Sequence, residues 1–132
     1  MATQPSLINS QPPYKNILLV DDDPIILKMT KEVLCMLGHQ VRVATDGCEA
    51  LTHFHDCADT IDLVITDLDM PCMDGRTLVS ILRASDPSLG IIIITGCEEE
   101  SGKLDSPIYK VNRWLAKPFS MNDLAAAIDM VM

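Results

Sequence analysis

An α/β domain, with a parallel five-stranded sheet covered by helices on both faces, is the fold class this sequence predicts. Strand-like apolar runs alternate with helical patterns along the chain, the signature of strand–helix–strand units. The runs near 61–66 and 91–94 are continuously apolar, as expected when both faces of a sheet are buried. The ends of the runs carry the chemistry. Ile17-Leu18-Leu19-Val20 ends in Asp21-Asp22-Asp23, and the run from Ile61 to Thr66 ends in Asp67. Ile91-Ile92-Ile93-Ile94 ends in Thr95, and Trp114-Leu115-Ala116 ends in Lys117. In an open parallel sheet such positions converge on the carboxyl edge, where ligands bind.

Each element has its own signals. Strands are expected near residues 16–21, 40–44, 61–66, 90–95 and 113–116. Asp23 can cap the first helix, with Pro24 at its first position and Gly38 just past its end. Asp46 can cap a second, whose apolar stripe is Ala50, Leu51 and Phe54. Asp74 can cap a third, with stripe Leu78, Ile81 and Leu82. The fourth helical segment, Glu98 to Ile108, contains Gly102 and Pro107 and shows no clear stripe. Ser120 with Asp123 forms a capping box with a shortened acid. Behind it Leu124, Ala127, Ile128 and Val131 repeat at helical spacing. The first helix carries more apolar residues than one stripe needs, from Ile25, Ile26 and Leu27 to Met36 and Leu37.

Composition narrows the class. A chain of 132 residues is one domain by length. Residues 1–14 are polar, with Pro5, Pro12 and Pro13, and read as a flexible leader before a domain at 15–132. The leader lacks the basic and apolar regions of a secretory signal. No apolar run approaches the roughly 20 residues that span a bilayer. The net charge of -9, from 19 acidic and 10 basic residues, argues against direct nucleic-acid binding, which needs clustered Lys and Arg. Five cysteines without C-x-x-C spacing argue against a disulfide framework or zinc site, and a reducing cytoplasm suits them.

Adjacent carboxylates at a strand end repel one another unless a cation compensates, and carboxylate oxygens suit hard divalent ions such as Mg²⁺. Asp23 is set aside as a helix cap. His53, His55, Asp56 and Cys57 resemble a metal cluster in sequence, but i and i+2 positions of a helix point to different sides, so they read as a solvated face. Cys72 and Cys97 are expected as small loop residues near the site, and Glu98-Glu99-Glu100 as solvated surface.

The segments LLVDDDP, DLVITDLDMPCMDG, IIIITG and WLAKPF, in this order and spacing, resemble the receiver domain of two-component response regulators from about Lys15 to Met132. The resemblance implies a flavodoxin-like (βα)5 three-layer sandwich with strand order 2-1-3-4-5. It implies that Asp67 accepts a phosphoryl group from a sensor histidine kinase or histidine phosphotransfer protein. Mg²⁺, or alternatively Mn²⁺, would take oxygens of Asp67 and Asp22 and the backbone carbonyl of Asp69, with Asp21 acting through water. Lys117 and Thr95 would contact the acyl phosphate. Gly96 would leave room for it, Pro71 and Gly75 would shape the loop after the acceptor, and a cis Lys117-Pro118 bond would aim the amine. Thr95 and Trp114 would form the switch, Trp114 standing where relatives carry Tyr or Phe. The first helix would border the docking surface for the kinase's histidine domain. The segment from Cys97 to Arg113 departs from the family's Ala-rich helix and Gly-Ala turn.

Two competing readings remain on the residues. Asp67-Leu68-Asp69 imitates the D-x-D of haloacid dehalogenase-type phosphohydrolases, but that nucleophile follows the first strand and the chain is short for that fold. A degenerate receiver that only binds partners is opposed by the complete set Asp22, Asp67, Thr95 and Lys117. On the leading reading the domain is a signalling phosphoacceptor that catalyses its own phosphorylation and, more slowly, its own hydrolysis, not a metabolic enzyme, and its downstream effector is unspecified.

Overall fold

In a computed structural model that describes residues 15–57, 60–96 and 111–131, five parallel strands form one sheet. They are β1 (Asn16–Val20), β2 (Gln40–Ala44), β3 (Leu63–Asp67), β4 (Gly90–Thr95) and β5 (Arg113–Ala116). Their spatial order is β2-β1-β3-β4-β5, the order 2-1-3-4-5 expected from the resemblance. The described helices are α1 (Pro24–Met36), α2 (Gly47–Cys57), α3 (Gly75–Ser85) and α4 (Met121–Val131). The poorly patterned segment Glu98 to Ile108 and the leader lie outside the described residues.

The helix caps form where the sequence places them. Asp23 accepts from the N–H groups of Ile25 and Ile26, and Gly38 takes a positive φ of 98° after α1, a conformation that suits glycine. Asp46 accepts from Glu49 N–H, while Glu49 accepts from Thr45 N–H. Asp74 caps α3 through Thr77 N–H. Ser120 and Asp123 exchange both bonds of the capping box at 3.0 Å each, so the shorter acid suffices.

Strand alternation divides the core between two faces. Leu18, Val20, Val64, Ile91 and Ile93 point toward α2 and α3, where Ala50, Phe54, Leu78, Val79 and Leu82 close one cluster. Ile17, Leu19, Leu63, Ile65, Ile92 and Ile94 meet Leu27, Leu34, Leu124, Ala127 and Ile128 of α1 and α4 on the other. Burying each such side chain contributes about 1.5–3 kcal/mol, which offsets the ordering of the chain.

Two sequence expectations are corrected. The third strand begins at Leu63, not Ile61: Ile61 N–H still bonds Cys57 O, and the Asp62 carboxylate accepts from Asn16 N–H. Ile81, expected in the α3 stripe, is exposed, and Val79 is buried in its place. The stripe is shifted because α3 turns its Val79 edge toward β4. Of the apolar excess in α1, Leu27 and Leu34 are buried, whereas Ile25, Met29 and Met36 face outward.

His39 ties the start of the sheet together, its Nδ1 accepting the Lys15 N–H at 3.2 Å. Burial pushes its pKa below the usual value of 6.5, assisted by Lys15 and opposed by Asp129. A base whose folded pKa is lowered binds fewer protons folded than unfolded, so its stabilisation is present above 6.5 and declines as pH falls through that value. The thermal midpoint is therefore expected to drop between pH 7.5 and roughly 5.5, and His39→Asn, which keeps an acceptor but no titration, should flatten that slope.

Candidate functional site

The strand register brings the acid-bearing ends together. Val20 pairs with Thr66, so the residues that follow them, Asp21 and Asp67, come level at the carboxyl edge of neighbouring strands. On the other side of β3, Asp67 pairs with Ile94, one residue before Thr95. Thr95 pairs with Ala116 in β5, and Lys117 N–H bonds Thr95 O at 2.8 Å. Four strands thereby converge on one place.

Within it, carboxylate oxygens of Asp21, Asp22 and Asp67 lie within 4.8 Å of one another. Asp21 and Asp67 are buried, whereas Asp22 is exposed. Lys117 Nζ stands 3.3 Å from Asp67 Oδ2, and the other oxygen, Oδ1, accepts from Leu68 N–H at 2.9 Å. Burial raises the pKa of Asp67, a shift moderated by Lys117. Burial also raises that of Asp21, whose Oδ1 accepts from Asp23 N–H and whose charge is further opposed by Asp67. Among the described residues one ammonium group, that of Lys117, thus faces several carboxylates.

The three carboxylates fit a hard divalent ion. Mg²⁺ binds oxygen at about 2.0–2.1 Å and retains waters, so donors on opposite sides of it lie about 4 Å apart. The observed spacing is of that order. Among the described residues no second group of His, Cys, Asp and Glu has this spacing. His55 and Asp56 are exposed on α2, which agrees with the solvated-face reading, whereas His53 is half-buried and Cys57 packs against the core. Asp23 is engaged as a helix cap, also as expected.

The loop after β3 is shaped by backbone needs. A Cβ on Gly75 would lie 2.6 Å from Asp67 O and 2.8 Å from Leu68 Cα, and Gly75 N–H bonds Leu68 O at 2.7 Å. No side chain fits between α3 and the acid-bearing strand. Pro71 is exposed, and its carbonyl accepts from Met73 N–H. Met73 packs against Gly47, where a Cβ would come within 2.9 Å of its side chain. Asp69 is exposed beside the site. A Cβ on Gly96 would meet nothing within 4 Å, so glycine there is not a packing requirement. The Lys117-Pro118 bond is cis. Trp114 is half-buried in β5 and packs against the cluster beneath α2 and α3. Cys72 is exposed with φ 69°, and Cys97 lies outside the described residues.

The family model of the response regulator receiver domain matches residues 17–129. The chain belongs to that family. The receiver is 34% identical over 116 residues to transcription factor SKN7 of Candida albicans, covering 88% of this chain and 20% of that protein. Among solved structures it resembles the chemotaxis response regulator CheY4 of Vibrio cholerae, with 28% identity, TM-score 0.82, and coverage of 91% of this chain and 100% of that one. It also resembles the response regulator protein TrrA of Thermotoga maritima in complex with Mg(2+)-BeF, with 29% identity, TM-score 0.80, and coverage of 89% and 99%. The receiver spans between 12% and 49% of the length of the first curated relatives it matches. Among the described residues no helix is long and apolar enough to cross a membrane.

Sequence reasoning did not single out three residues that the structure makes prominent. Phe119 lines a groove beside Lys117, Thr30 is buried in α1, and Arg83 is buried in the last turn of α3. The KPF segment carried a signal for Phe119. For Arg83 there was none, because a cation in a last helical turn is ordinarily a solvated cap.

Gly75→Ala is expected to lower stability by about 2–3 kcal/mol through the backbone clash, whereas Gly96→Ala should unfold like the parent. Cys72→Gly should stabilise the domain by up to about 1 kcal/mol, since a side chain in the left-handed region costs roughly that much. Denaturant unfolding of the three variants checks these differences, and stabilisation by Gly75→Ala would contradict the packing described.

Proposed function

We propose that Asp67 is the phosphoacceptor of this receiver domain and that Asp21, Asp22 and Asp67 hold Mg²⁺ beside it. The observation that carries the reading is a buried carboxylate between an ammonium group at 3.3 Å and two further carboxylates. The complex of the Thermotoga relative with Mg(2+)-BeF supports a divalent ion here, and favours Mg²⁺ over the Mn²⁺ alternative. The backbone carbonyl of Asp69 is a further proposed ligand, with Asp21 acting through water.

The chemistry asks for charge balance more than for covalent assistance. An Asp67 oxygen attacks the phosphorus of a phosphohistidine; the new P–O bond forms as the P–N bond breaks, and the imidazole leaves with its electron pair. Phosphoryl transfer of this kind is accelerated by positioning and electrostatic stabilisation. When bound, Mg²⁺ supplies positive charge to the transferring oxygens. Lys117 supplies a second positive charge from just past β5, already within reach of the acceptor carboxylate. In this reading Thr95, buried at the end of β4, donates its hydroxyl to the product. The same groups can serve slow self-phosphorylation from a small phosphodonor and slow hydrolysis by water.

Two surfaces complete the reading. The exposed Ile25 and Met29 of α1 adjoin a groove of about 590 Å³, lined almost wholly by apolar side chains including Ile26, Val33, Phe119 and Leu124. It opens next to Lys117, which suits the docking of a histidine-bearing helical domain from a sensor kinase or phosphotransfer protein. The proposed switch lies on the opposite side, through Thr95 and the half-buried Trp114. A reducing, cytoplasmic setting fits the exposed free thiols of Cys35, Cys48 and Cys72.

Intact mass after incubation with acetyl phosphate tests the proposal. A single phosphoryl adduct that requires Mg²⁺ and is absent from Asp67→Asn is expected. Lys117→Ala should slow its formation by about tenfold to a hundredfold, the scale of one lost electrostatic donor. An adduct that persists in Asp67→Asn would remove the assignment, and catalytic turnover of a generic phosphate ester would favour the phosphohydrolase reading.

A further inference from the structure

Arg83 is an unusual residue to find buried, at 6% exposure. Its Nη1 donates to three backbone carbonyls, Asp86 O at 3.2 Å, Pro87 O at 2.9 Å and Leu89 O at 2.7 Å. These are the carbonyls of the turn that joins α3 to β4. Its Nη2 reaches across to Asn112 Oδ1 at 3.3 Å. The same Oδ1 accepts from Ile91 N–H at 2.8 Å, and Asn112 N–H donates to Ile91 O at 3.0 Å. Both neighbours of the side-chain oxygen are donors, so the orientation of the amide is fixed by chemistry. Asn112 therefore engages both backbone groups of Ile91, and its side chain extends the β4–β5 ladder one step before the strand begins.

That step matters because β5 is short and lies at the edge of the sheet. It has four residues, and among the described strands it pairs with β4 alone. Its far end is held by the bond from Lys117 N–H to Thr95 O. Its near end is held by Asn112. Trp114 and Lys117 are carried on this strand and at its exit, so the register fixed at Asn112 determines where the ammonium group stands against Asp67.

We infer that Arg83 and Asn112 form a clamp that positions β5, and are positioning residues for phosphorylation through Lys117. This inference rests on the proposed role of Lys117 and deepens it. The three metal-binding carboxylates belong to β3 and the end of β1, outside the clamped strand. Cutting the clamp should affect the Lys117 side of the site and spare the metal side.

The test uses Asn112→Ala, Asn112→Asp and Arg83→Lys in the full chain, each confirmed as folded by thermal unfolding. Asn112 is exposed, so truncation opens no cavity. With acetyl phosphate as donor, Asn112→Ala should form the adduct about tenfold more slowly, a cost in keeping with a small misplacement of a catalytic group. Its Mg²⁺ affinity by calorimetry should stay within about twofold of the parent. Asn112→Asp retains the acceptor for Ile91 N–H and pairs with Arg83, and should restore the rate. Arg83→Lys keeps the charge but loses the fork that reaches Asn112, and should slow the reaction by about threefold. Acrylamide quenching of Trp114, the single tryptophan, should rise in Asn112→Ala and return in Asn112→Asp. An unchanged rate in Asn112→Ala, a parallel fall in Mg²⁺ affinity, or a failure of Asn112→Asp to restore the rate would each overturn the clamp. Absence of any adduct in the parent would sink the phosphoacceptor assignment instead, and the quenching series would still decide whether the clamp holds β5.

Discussion

Like charge confined at one sheet edge is the constraint from which the rest of this structure can be understood. Asp21 and Asp67 are both buried, and Asp22 stands beside them. Burial disfavours the charged form of each, as the raised pKa values of Asp21 and Asp67 record, and their mutual repulsion adds to it. Among the described residues the cation that answers them is Lys117, just past β5 and 50 positions along the chain, 3.3 Å from Asp67. One ammonium group does not neutralise three carboxylates, and a divalent ion bound there would supply the remaining positive charge. A site left short of positive charge recruits its ligands electrostatically. The parallel topology is what makes this possible, because only strands running the same way present their exits side by side.

Much of this was legible because the relevant signals are local. A cap is an acid at a fixed offset from a donor, and the expected caps Asp23, Asp46, Asp74 and Ser120 form where the offsets place them. The convergence of Asp21, Asp22, Asp67 and Lys117 was legible for a different reason: in a parallel sheet, the end of an apolar run maps directly onto one edge. What escaped depends on rotation and on distant partners. Whether α3 buries Val79 or Ile81 is a difference in how the helix turns about its axis, and both residues suit either place. Arg83 escaped because its partners are backbone carbonyls and an asparagine 29 positions away, and a carbonyl leaves no trace in a sequence.

The two faces of the sheet have different partners. Beneath α2 and α3 the packing is closed by Phe54, Leu78 and Leu82, and Met73 reaches over Gly47 to bind the loop after β3 to α2. That face holds the loop after Asp67 in place. On the other face, α1 spends only part of its apolar surface on the core, and the remainder borders the groove that runs to Lys117. Methionines at the rim, Met29 and Met121, are flexible and polarisable. The rigid face positions the chemistry; the adaptable face is where a donor would approach.

A signal must leave the site through an element that can move at small cost. The central strands β1, β3 and β4 are bonded on both sides and buried on both faces, and displacing any of them would break two ladders and open the core. β5 is different. Its outer edge has no strand partner among the described residues, its burial is partial along most of its length, and Trp114 is only half-committed to the core. A two-state change requires unequal binding of the phosphoryl group in the two states, and the smaller the cost of moving the responding element, the smaller that inequality needs to be. Lys117 ties β5 to Asp67 at one end, and the proposed clamp ties it to Ile91 at the other. On the proposed switch, with both ends fixed, a pull on Lys117 or Thr95 would not be dissipated by the strand sliding and would pass to the residues of β5, of which Trp114 is the largest.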